Sequence, residues 1–168
     1  MRIAAVIGAG LVLAAAAPSF AQEAEAPRAR GLALALAVEA SQASIAACKA
    51  QGYKVTVEVK DSIGTTVSIL SDDGAATSSI ASVRLKNLIV AKFKVPSGEI
   101  QDRAKTDVAL VAEIKNDARI KTVADRGGLP IMAGGTFIGA YGVAGAASGE
   151  KDEACVRTGL ARIASRIK

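Results

Sequence analysis

The chain has 168 residues, 51% of them hydrophobic and 22% charged, with a formal net charge of +5 and no histidine. That length suits one folded unit around a single core. Its lysines and arginines are scattered, without the basic stripe that nucleic-acid binding needs, and the lack of imidazole removes the commonest acid–base catalyst and a common metal ligand.

A leader comes first. Arg2 precedes an apolar run from Ile3 to Ala17, Pro18 ends the run, and Ser19-Phe20-Ala21 puts small residues three and one before a cut. This is the pattern of a secretory signal peptide cleaved after Ala21. The run is shorter than the roughly 20 residues of a spanning helix. Residues 1–21 are therefore expected to be removed, leaving a periplasmic or secreted chain that starts at Gln22 and has no transmembrane segment. Residues 22–30, polar and without apolar period, read as a flexible leader, and residues 31–168 as a single domain.

From Leu32 to Gln51, Leu32, Leu36, Ala40, Ala43 and Ala47 recur at helical spacing, and Gly52 stands where a C-terminal cap belongs. Tyr53, Val55, Val57 and Val59 then alternate with Lys54, Thr56, Glu58 and Lys60, which predicts a strand buried on one face. Asp61-Ser62-Ile63-Gly64 is turn chemistry and Thr65–Leu70 a second β-branched run, so the two form a hairpin. Thr77-Ser78-Ser79 offers capping hydroxyls to a helix from about Ile80 to Phe93, which Val95-Pro96-Ser97-Gly98 stops. A further helix is expected from Thr106 or Asp107 to about Asn116. Residues 127–145 hold two short strands joined by a Gly134-Gly135 turn, and a last helix runs from about Glu150 to Ile167. The alternation of elements makes this an α+β domain.

Six segments carry a resemblance: Asp73-Gly74-Ala75, Arg84-Leu85-Lys86, Phe93-Lys94-Val95-Pro96-Ser97-Gly98, Gly127-Gly128-Leu129-Pro130-Ile131, Gly139-Ala140-Tyr141-Gly142-Val143-Ala144-Gly145 and Glu150-Lys151-Asp152-Glu153-Ala154-Cys155. They stand in the order and spacing of the GlcG/HbpS family, which the chain resembles over roughly residues 32–165. The resemblance implies a profilin-like α-β-α sandwich, a central antiparallel sheet of about five strands between flanking helices, and assembly into homo-oligomers. It also implies haem binding, haem degradation, or a sensing or accessory role beside a partner enzyme. Lys86 and Ser97 carry over as pocket residues, with Gly127, Gly128, Pro130, Tyr141 and Gly142 around them. The family's Lys-Ala-x-Thr is Lys86-Asn87-Leu88-Ile89 here, and its Arg-Pro-Thr is Val95-Pro96-Ser97. For Lys86 and Ser97 the plain alternatives are a solvated helix lysine and a loop cap.

Without imidazole, haem iron would need another ligand. Tyr53, Tyr141, Met132, Cys48 and Cys155 supply phenolate, thioether or thiolate. Tyr141 stands where the family commonly has an aliphatic residue, and the alternative is a packed ring with its hydroxyl toward solvent. Met132 reads as core filler. Glu150 and Glu153, three apart on a helix, are candidates to share an iron or other metal ion, against the simpler reading of acids answering a helix N-terminus. Cys48 and Cys155 are either one disulfide, if the first and last helices pack antiparallel on one sheet face, or two buried thiols. Taken together the residues favour an exported protein that binds haem or another small hydrophobic ligand. The alternatives are an enzyme that degrades haem or acts on a small organic acid through Lys86, and an oligomeric scaffold with no ligand.

Overall fold

The structure, a computed structural model, describes residues 29–168; the expected signal peptide, its cleavage site and residues 22–28 lie outside the described residues. Helix α1 (Leu34–Lys49) leads into the hairpin β1 (Thr56–Asp61) and β2 (Thr66–Ser71). Helices α2 (Ser78–Phe93), α3 (Ser97–Arg103) and α4 (Val108–Asn116) follow, then the hairpin β3 (Gly128–Ala133) and β4 (Thr136–Ala144), and last α5 (Gly149–Ile163) with a 3₁₀ turn at Ala164–Arg166. The strands form one antiparallel sheet in the order β2-β1-β4-β3.

Helices α1 and α5 lie on one face, over Val57, Val59, Leu129, Ile131, Tyr141 and Val143. They run antiparallel: Cys48 near the end of α1 is bonded to Cys155 near the start of α5, and Glu39 near the start of α1 pairs with Arg162 and Arg166 at the far end. Small residues allow the close approach. Ala37, Ala40, Ser41 and Ser44 of α1 are buried, and a Cβ on Gly159 of α5 would collide with Ser44 and the Tyr141 hydroxyl.

Helix α2 covers the other face, and a second apolar cluster of Ile89, Ile100, Leu110, Ile114 and Ile120 holds α3 and α4 against it. This layer changes the reading of β1. Its polar residues Thr56, Glu58 and Lys60 are buried along with the valines, because α2 shields the side on which alternation placed solvent. Burial of polar groups costs unless they are paired. Here Thr56 Oγ1 bonds the hydroxyls of Ser71 and Ser79 at 2.8 and 2.6 Å. Glu58 accepts from Thr66 Oγ1 at 2.9 Å and Asn87 Nδ2 at 3.0 Å, and Lys60 completes an ion pair with it at 3.2 Å.

Three further differences appear. The sheet has four strands rather than about five. The figure of about five came from the resemblance, whereas the chain's own β-patterned runs number four and each forms one strand. The stop after α2 is also the start of α3. Lys94 ends α2 in the left-handed conformation, Pro96 provides the fixed φ that suits a helix entry, and Glu99 lies in the first turn. The last helix ends four residues earlier than its apolar pattern suggested, passing into the 3₁₀ turn.

Candidate functional site

Lys86 projects from α2 toward the end of β4. Its Nζ donates to Asp152 Oδ2 at 2.6 Å and to the Val143 carbonyl at 3.0 Å, and both charged side chains are almost fully buried. Asp152 sits in the first turn of α5, and its Oδ1 accepts the backbone N–H of Ala146 at 2.9 Å. Burial pushes the Asp152 carboxyl above its ordinary value, and the attraction of Lys86 only partly opposes that.

The pair lines a polar cleft of about 290 Å³, together with Ser78, Ser79 and Ser82 at the start of α2, Asp125, and the loop from Gly145 to Gly149 that enters α5. Several residues expected from the sequence converge behind it. Ser97 Oγ donates to the Asp125 carbonyl at 2.8 Å and accepts from Gly128 N at 3.0 Å, tying the start of α3 to the entry of β3. Gly142 lies under Asn87, whose Oδ1 would clash with a Cβ there. Gly127 has φ of +109°, and a Cβ on it would come within 2.6 Å of Asp152 and 3.0 Å of Lys86 Nζ. Gly127→Ala is therefore expected to cost about 1–3 kcal/mol, from backbone strain alone, and to lower the thermal midpoint by several degrees in a calorimetric scan. An unchanged midpoint would show that the cleft floor yields freely.

Other expected residues lie elsewhere. Tyr141 faces the α1–α5 layer and has no exposure. Its hydroxyl is 2.6 Å from Ser44 Oγ, whose own proton goes to the Cys155 carbonyl, so Tyr141 donates to Ser44. Burial holds this phenol well above its usual value and hence protonated. The oxygen is thus spent inside the core rather than presented at a surface or reaching solvent. Cys48 and Cys155, also buried, are joined with their Cα atoms 5.7 Å apart, which uses both sulfurs.

Glu150 and Glu153 each have an arginine in place of a shared cation. Arg126 Nε lies 3.4 Å from Glu150 and Arg157 Nη2 lies 2.6 Å from Glu153, around a cavity of about 180 Å³. Two guanidinium groups there oppose a bound cation. Among the described residues, no group of three or more His, Cys, Asp or Glu is placed to hold a metal ion.

A third cavity is apolar. Pro130, Ile131 and Met132 of the edge strand β3 face Leu160, Ala161, Ala164 and Ile167 across a groove of about 330 Å³. Met132, expected as core filler, is 44% exposed. The register shift beside it leaves Ile138 of β4 unpaired, while β3 keeps its alternation, with Leu129, Ile131 and Ala133 buried and Met132 turned away from the core. The reading as core filler followed the residue type, whereas the alternation of the strand places Met132 outside the core. Sequence reasoning also missed Asp152 as the partner of Lys86, which only the packing of α2 against α5 brings close.

No curated protein matches the chain. Among solved structures, a double mutant of Streptomyces reticuli HbpS is 33% identical over 88% of this chain and 97% of its own, with a TM-score of 0.71. Another HbpS structure is 32% identical over 84% and 96%, with a TM-score of 0.70. The haem complex of PduOC, 22% identical over 79% and 95%, shares the fold at a TM-score of 0.71. A family model described as haem degrading protein HbpS-like matches residues 32–161, which takes in the whole sheet, the Lys86–Asp152 cleft and all but the last two residues of α5, and the chain therefore belongs to the HbpS-like family.

Proposed function

We infer that this chain is an exported, non-enzymatic binding protein for haem, with a sensing or accessory role and a homo-oligomeric state. The observation that carries the reading is membership of the HbpS-like family over residues 32–161, within a fold that PduOC presents as a complex with haem. The donor set supports it in part. Haem needs predominantly apolar walls for its macrocycle, and the groove against β3 supplies them; the cleft at Lys86, walled by serines and backbone, does not. Iron would then take a sulfur or oxygen ligand, and when bound it would supply the redox or signalling chemistry. Export is supported by the leader pattern and by the Cys48–Cys155 bond, since disulfides persist in oxidising compartments. An enzymatic reading would use Lys86 as its acid–base group. The engagement of Lys86 Nζ by Asp152 and Val143 favours binding instead.

Native mass spectrometry of the exported protein, with haemin titrated in, tests this directly. The expected result is a chain beginning at Gln22, in a multimer, gaining haem in a saturable ratio with a defined Soret band. Retention of Met1 would overturn export. A haem-free protein at every ratio would overturn the haem reading and favour a scaffold without ligand.

A further inference from the structure

The geometry points to Met132 as the residue that ligates haem iron, through its thioether, with the macrocycle lying in the groove between β3 and the end of α5. This rests on the haem reading above and adds to it the ligating atom and the surface. Elimination among sulfur and phenol donors leads there. The Tyr141 hydroxyl is buried and bonded to Ser44, both cysteine sulfurs are in the disulfide, and Tyr53 is half-buried against the main core. Met132 alone among these stands exposed on an apolar cavity.

The sequence places it there for a local reason. Leu129, Ile131 and Ala133 face the core, and the two-residue alternation of the strand puts Met132 between them on the other side. The register shift beside it leaves Ile138 of β4 unpaired and does not break the alternation of β3, and because β3 is an edge strand no further strand covers the Met132 side chain. Thioether sulfur is a haem ligand that carries no proton, so it needs no base to activate it in a groove that offers none. The walls, from Pro130 and Ile131 on one side and Leu160, Ala164 and Ile167 on the other, are apolar throughout. Lys168 follows Ile167 directly and is exposed, which brings a cation to the same end of α5 for a propionate.

The test uses the full mature protein and haemin, read by absorption and magnetic circular dichroism. Wild type is expected to show a sulfur-to-iron charge-transfer band. Met132→Leu keeps the volume at an exposed position and should lose that band, with affinity falling about tenfold or more. Met132→His should bind more tightly and give a nitrogen-ligated low-spin spectrum. A Met132→Leu variant with unchanged spectrum and affinity overturns the assignment of Met132 while leaving haem binding intact. Wild type that takes up no haem overturns both, and far-UV circular dichroism of each variant confirms that the comparison is between folded proteins.

Discussion

Lys86→Met is expected to destabilise the domain by about 3–5 kcal/mol, the usual cost of leaving one member of a buried ion pair alone. The ammonium now neutralises Asp152 inside the molecule, where that carboxyl has only the Ala146 N–H besides. Desolvation already raises Asp152 with Lys86 opposing it, so removing Lys86 leaves mainly the Ala146 N–H to oppose desolvation and raises the carboxyl further. A carboxyl whose folded pKa stands above its unfolded value contributes stability that is full below the unfolded pKa and is lost as pH rises through the folded one. The deficit of Lys86→Met should therefore be smallest near pH 4 and grow toward neutrality, as read by urea unfolding at a series of pH values. Adding Asp152→Asn to Lys86→Met should recover much of the loss, because no buried charge remains and the amide oxygen still accepts from Ala146. A flat deficit across pH, or no recovery in the double variant, would mean that the pair acts through packing alone.

Removing the Cys48–Cys155 bond is the second large effect. It closes a loop across a sequence separation of 107 residues, and the chain-entropy argument assigns a closure of that length about 4–5 kcal/mol. Folded domains have only about 5–15 kcal/mol in hand, so a Cys48→Ala/Cys155→Ala variant is expected to lose on the order of 2–3 M from its urea midpoint. Both sulfurs are buried between α1 and α5, so reductant should act on the native protein only as fast as those helices part. Unreduced, denatured wild type should yield no alkylated thiol. Two alkylated cysteines would remove the bond and this prediction with it.

The sequence by itself determined the elements that depend on neighbours in the chain. The small-residue period of α1, the β-branched runs of β1 and β2, the Asp107 cap of α4 and the Gly134-Gly135 turn are local patterns, and each became the expected element. The family followed from the spacing of its short segments, and with it the general form of the sandwich. Tertiary structure alone decided what each side chain faces. Alternation in β1 reports one apolar face and is silent about α2, which arrives from later in the chain and encloses Thr56, Glu58 and Lys60. Lys86 and Asp152 are 66 residues apart, and no periodicity links positions on two different helices. Tyr141 and Met132 exchanged their expected settings, the first sealed under α1 and α5 and the second set by alternation on the uncovered side of the edge strand β3, because burial is fixed by which layers meet and not by residue type.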